Sequence, residues 1–388
     1  METYLIAGAI SLLFTLLLTP WVAVLAKKYG AVQEPPEIVL KKIQEQRERG
    51  LSDAEYEAKL QAARRRLDKP PLIMWGGIAY VLPFLIVSGS ILLFSKTINL
   101  PISEFSTYLL WFVTIGILFA VGILDDVFEF SGKVQFMFHL IAALLFVLSP
   151  LDVNGFRNPF GGAYIHTDWW VFTFGNLPWL IRFVFPGDLL FFLWVLPLMN
   201  GIKWQGGSDG LMEGNTAIAL VMLFLVSFLF NQPASALFAI TLAGSLFGFL
   251  YYNFYPNKIM SGSAGKSVLG FIVAGIAVIG GSKFAISLIV FAIPLFDMLW
   301  VLLRRVVYYR PKSPFQLFLI SNKFHFHHQL MKIGYTEKQI AYLQYAITFI
   351  FGMLGVFAPP VLKPYILILS WLSVAAIIIS TTAKAYEQ

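Results

Sequence analysis

With 388 residues, 58% of them hydrophobic and only 13% charged, and a mean hydropathy of +0.74, this chain is excluded from the water-soluble globular proteins and is expected to be an integral membrane protein. Its net charge of +7 points to no nucleic-acid partner in so apolar a chain, and the absence of cysteine excludes disulfides, thiolate metal ligands and lipidated thiols. No basic segment or small-residue cleavage site accompanies the first apolar run, so residues 4–26 are expected to be retained as a span.

In chain order, apolar runs suited to crossing about 30 Å of hydrocarbon fall at 4–26, 72–95, 108–124, 134–150, 188–200, 215–231, 234–253, 267–281, 283–301, 339–358 and 360–383. They predict an all-α polytopic protein of about eleven transmembrane helices, forming one transmembrane domain over residues 1–388. Between Pro35-Pro36 and Pro70-Pro71 lies one extended hydrophilic segment. Its sparse apolar stripe and the capping-box spacing of Ser52 to Glu55 predict a helical-hairpin insertion over 37–69, expected to make surface contacts and carry no chemistry. The loop at 151–187, with Trp169, Trp170 and Trp179, is expected to lie in the membrane interface. If the spans alternate, one side carries 23 of the 28 Lys and Arg residues. The positive-inside rule then predicts an outside N-terminus, a cytoplasmic C-terminus and cytoplasmic loops at 125–133, 200–214, 254–266 and 302–338.

Those loops hold the residues that an apolar chain has no structural reason to keep. Asp125 and Asp126 end the third run, where tandem carboxylates mark the meeting of helix and water. The stretch from Asn200 to Gly214 is Gly-rich and contains Lys203 and Asp209; its glycines let main-chain N–H groups approach an anion, and its acid could place a metal or take a proton. From Asn253 to Ser267 the ending Gly265-Lys266-Ser267 imitates a P-loop, but Met260 stands where that motif needs glycine. What remains is a small basic loop opening a helix, a natural place for phosphate. Asp297 sits inside an apolar run that ends in Arg304-Arg305, which leaves open an ion pair or a substrate role. His325, His327 and His328 cluster within four residues, and phosphate contact suits them better than zinc because no acidic cluster lies close by in sequence.

Taken together, Leu124-Asp125-Asp126 with Ser131-Gly132-Lys133, Asp209-Gly210-Leu211, Pro294-Leu295-Phe296-Asp297, and Phe324 to Leu330 with Gly334 make a pattern that resembles the polyprenyl-phosphate N-acetylhexosamine-1-phosphate transferases. That group includes bacterial GlcNAc-1-phosphate transferases and phospho-N-acetylmuramoyl-pentapeptide translocase. The resemblance implies transfer of a sugar 1-phosphate from a UDP-N-acetylhexosamine to undecaprenyl or another polyprenyl phosphate, with Mg²⁺ as cofactor, membrane lipids around the site and a homodimer as the assembly to consider. It assigns Asp125 and Asp126 to lipid phosphate and metal, Asp209 to the sugar nucleotide, the three histidines to the diphosphate and Lys133 to a phosphate. Asn200, Lys203, Asn253, Lys266 and Asp297 complete the implied substrate-binding set.

Two positions depart from the family pattern. Gly206 and Ser263 stand where the pattern has Asp, and Lys203 and Lys266 bring added positive charge. The residue expected as a principal metal ligand is therefore a serine. These losses favour, as a second reading, a non-catalytic relative that binds lipid or nucleotide or acts as a scaffold. An intramembrane prenyltransferase is a third, resting on Asp125-Asp126-Val127-Phe128-Glu129, and it lacks a second acidic motif.

Overall fold

The structure, a computed structural model, describes residues 1–32, 36–48, 56–57, 60, 72–94, 102–148, 155–157, 164–175, 181–279, 284–311, 317, 320 and 323–387. Most of the 37–69 insertion and its Ser52 capping box lie outside the described residues. What is described of it is a helix over Pro36–Glu48.

All eleven apolar runs coincide with helix. In chain order these are α1 (Glu2–Lys28), α2 (Pro36–Glu48, in the insertion), α3 (Gly76–Phe94), α4 (Ile102–Phe128), α5 (Gly132–Val147), α6 (Gly187–Gln205), α7 (Leu211–Leu229), α8 (Pro233–Asn253), α9 (Gly262–Val278), α10 (Phe284–Val290), α11 (Ala292–Tyr309), α12 (Phe326–Lys332), α13 (Glu337–Phe357) and α14 (Lys363–Glu387). By length and hydropathy, seven described helices could cross a membrane, and eight if α10 and α11, bent by 74° at Phe291, count as one broken span. The chain is thus a multi-pass membrane protein, with fewer full-length spans than the eleven expected. Three helices of the apolar runs stay outside that count: α5 and α9, at 16 and 17 residues, and α6, which is 19 residues long but carries Asp188, Pro197 and Lys203. Nearly every residue of α9 is buried, and a helix apolar on all sides belongs in the centre of a bundle. It packs there against α3, α4 and α6. By contrast α1 shows Leu13, Leu17 and Trp21 outward, the side chains of a lipid-facing surface.

The protein is not purely helical. Within the 151–187 loop, β1 (Gly155–Arg157) pairs with β2 (Tyr164–His166), and β3 (Asp168–Phe174) with β4 (Ile181–Pro186), both antiparallel. Asp168-Trp-Trp-Val-Phe-Thr-Phe is rich in aromatic and β-branched residues, which favour strand over helix. All seven residues of β3 are exposed, Trp169 by 67%, as an interfacial element would be.

Candidate active site

Helix α4 carries its two acids to the head of the central helix. Asp126 accepts hydrogen bonds from the Ser263 N–H through Oδ1 at 2.6 Å and from the Ala264 N–H through Oδ2 at 3.4 Å. A carboxylate there satisfies main-chain donors that the first turn of a helix leaves open. Gly262 makes the contact feasible: its φ is +65°, and a Cβ would come within 2.3 Å of Asp126 Oδ2. On the α3 side, Gly77 lies so close that a Cβ would meet the Gly265 nitrogen at 2.2 Å.

Asp125 is buried and turned the other way. Its Oδ1 accepts from the Phe130 N–H at 2.8 Å and from Gln135 Nε2 at 3.1 Å. The Gln135 Oε1 in turn accepts from Lys203 Nζ at 2.7 Å. Lys203 on α6 thereby fixes an acid on α4 through an amide on α5.

Between these groups opens a cavity of about 350 Å³, lined by Asp125, Asp126, Glu129, Gln135, Gly206, Gly207, Ser263 and Lys266, with Val32, Leu72 and Met74 on another wall. Lys266 runs along Gly206, whose missing side chain leaves it room: a Cβ there would meet the lysine Cε at 2.8 Å. The two sequence departures are thus neighbours in space.

Other expected residues stand around this centre. Asp209 Oδ2 accepts from the Asn257 N–H at 3.1 Å, joining two of the cytoplasm-assigned loops. The rings of His325, His327 and His328 are 4.2 to 6.4 Å apart. His327 is buried with its Nε2 unpartnered among the described residues, and that atom would lie 3.6 Å from a Cβ at Gly207 on the cavity wall. Asp297 is engaged by the head of α12: its Oδ1 accepts from the Phe326 N–H at 2.7 Å and its Oδ2 lies 3.0 Å from His325 Nδ1. Arg304 instead lies over Phe324, 3.8 Å from its ring. Asn200 donates back to the Leu196 carbonyl at 2.9 Å, and Asn253 to the Ile259 carbonyl at 2.9 Å, so both brace the main chain and neither lines the cavity. Lys133 is exposed beside the Ser131 cap of α5, also away from the lining.

Sequence reasoning missed Gln135, Glu213 and Ser261. Gln135 is a lone amide opening an apolar run, and that was its only signal. Glu213, buried in the first turn of α7, is hydrogen-bonded to the Ser261 hydroxyl. Behind it, Gln205 Nε2 and Asn215 Nδ2 each donate to Gln344 Oε1 at 3.1 Å, tying the Gly-rich loop to α13.

The residues present do not fit a resident Mg²⁺ ion. Among the described residues no three acidic or imidazole side chains converge. Asp126 has both oxygens engaged by main-chain donors, one oxygen of Asp125 is taken twice, and Lys266 lines the same cavity.

Residues 108–281 match the family described as glycosyl transferase family 4, a stretch that contains the acids of α4, Gly206, Ser263 and Lys266. The chain is similar to a probable undecaprenyl-phosphate N-acetylglucosaminyl 1-phosphate transferase of Bacillus subtilis, with 26% identity over 356 residues, covering 90% of this chain and 83% of that protein. Phospho-N-acetylmuramoyl-pentapeptide-transferases of Staphylococcus epidermidis and Staphylococcus aureus are 27% and 28% identical over 289 and 291 residues, covering 72% of this chain and 83% of theirs.

Proposed function

We propose that this membrane phospho-sugar transferase, whose residues 108–281 match glycosyl transferase family 4, transfers an N-acetylhexosamine 1-phosphate from a UDP-sugar to undecaprenyl phosphate, releasing UMP. The reaction would take place at the cytoplasmic face of the inner membrane and feed a cell-envelope polysaccharide. The observation that carries this reading is the cavity itself: acids, a lysine and a helix head from three separated stretches meet in one polar recess at the end of a membrane helix.

In this reading a lipid-phosphate oxygen attacks the sugar-bearing phosphorus, and the bond to UMP breaks. Lys266 lines the cavity, and a fixed positive group of this kind stabilises a phosphoryl-transfer transition state. Asp125, oriented by Gln135, stands on the cavity wall with that lysine. Asp209 and the three histidines lie toward the nucleotide end. The test is purified full-length protein with radiolabelled UDP-GlcNAc and undecaprenyl phosphate, scored for label entering the lipid phase. A label that stays wholly aqueous, with UDP-GlcNAc and lipid both still bound, would instead establish the non-catalytic binding reading, which glycine at 206 and serine at 263 favour.

A further inference from the structure

We propose that this site holds its phosphate anion on lysine in place of a divalent cation, with Lys266 as the binding cation and Lys203 as a positioning residue acting through Gln135. The inference rests on the transferase reading and deepens it. Mg²⁺ keeps octahedral oxygen coordination and is bound through one or two carboxylates beside substrate phosphate. The acids on the cavity wall are Asp125, Asp126 and Glu129, and they do not converge on one point. Asp126 spends both oxygens on the head of α9, and Asp125 receives a main-chain N–H and an amide. Neither presents two oxygens clear of main-chain or amide donors.

Positive charge is built in at the same place. Lys266 stands one turn into α9 and lines the cavity, its stem occupying the space that any side chain at residue 206 would claim. A smaller residue at 206 and a longer one at 266 therefore form one steric unit. Lys203 Nζ holds the Gln135 carbonyl, so the amide turns its NH₂ toward Asp125. The lysine ammonium in the cavity suits a phosphate mono- or diester anion. Both the nucleotide diphosphate and the lipid phosphate have that chemistry.

The experiment measures equilibrium binding of UDP-GlcNAc and, separately, of undecaprenyl phosphate to the full chain in nanodiscs, with excess MgCl₂ or excess EDTA. Neither affinity is expected to change by more than about two-fold between the two conditions, since no ion bridges protein and phosphate. Lys266→Met should weaken at least one probe by about ten-fold, equivalent to ~1.4 kcal/mol, and the probe that suffers identifies which phosphate Lys266 holds. Lys266→Arg should restore most of the loss. Gly206→Asp displaces the lysine stem and sets a carboxylate in the cavity, and should make binding Mg²⁺-dependent. Lys203→Met should lower kcat more than it alters either binding constant, and a mere loss of folding would lower all of them together. Binding abolished by EDTA in the native protein, or unchanged in Lys266→Met, overturns the inference; transfer that persists only with Mg²⁺ does so while leaving the proposed function intact. Metal-independent, Lys266-dependent binding without transfer supports the inference and overturns the transferase reading.

Discussion

Asp297 serves two groups at once, the Phe326 N–H and His325 Nδ1, from within a membrane helix. In Asp297→Asn the amide oxygen can keep one partner, but its NH₂ must then face the other, and the His325 ring loses the acceptor that orients it. A charge-assisted hydrogen bond of this kind is worth roughly 1.5–3 kcal/mol, so kcat/KM for sugar-phosphate transfer should fall by about ten-fold or more with the helical content unchanged by circular dichroism. His327 supplies a pH signature. Burial, and secondarily the charges of His328 and His325, push its pKa well below the usual 6.5, so it is neutral in the folded protein at pH 7. The unfolded chain takes up a proton as pH falls through 6.5, and the native chain does not until its own lower value is reached. Stability is therefore unaffected above pH 6.5 and decreases below it, by at most about 1.4 kcal/mol per pH unit. Thermal unfolding of the native protein should shift down between pH 7 and pH 5, and His327→Gln should flatten that slope.

Among the elements, the hydrophilic insertion is less remote than its sequence implied. Its two roots pair directly, Val32 bridging Ile73, with the Met74 N–H donating to the Ala31 carbonyl at 2.9 Å. A third strand-like segment joins them, since the Met260 N–H donates to the Ile73 carbonyl and the Gly76 N–H to the Met260 carbonyl, each at 2.8 Å. Val32, Leu72 and Met74 form part of the cavity wall. Splicing Pro35 to Pro70 keeps those roots and should leave UDP-GlcNAc binding largely intact. A deletion that also takes Val32 and Ile73 removes the wall and should abolish it, as isothermal titration of the two folded deletions would show. Apolar runs were readable as helices because hydropathy over a span reports burial or lipid contact whatever the topology. The β3–β4 hairpin was not, because its composition also suits interfacial aromatics, and only strand pairing distinguishes the two.

At the scale of the whole chain, the membrane class and the loops that gather at the site could be read from composition and charge placement. The wiring inside the site could not. Asp126 and Ser263 are 137 residues apart, and Lys203 and Gln135 are 68 apart, distances at which neither periodicity nor motif spacing carries information. The expectation that the site loops are cytoplasmic can be measured directly in this cysteine-free chain. Ser131→Cys places a thiol at an exposed cap beside the site. It should resist an impermeant maleimide in intact cells and react after permeabilisation, and labelling in intact cells would invert the topology. Ser208 is buried and suits the assay poorly.

The bond between Asp126 and the head of α9 is made to main-chain nitrogens at residues 263 and 264. Every non-proline residue offers that same donor. The architecture of the site is consequently blind to which side chain stands at position 263, and a lineage can exchange an acid there for serine, or reverse the step, without dismantling the helix junction. The side chain at 263, which lines the cavity, can then alter its chemistry while the helix junction persists.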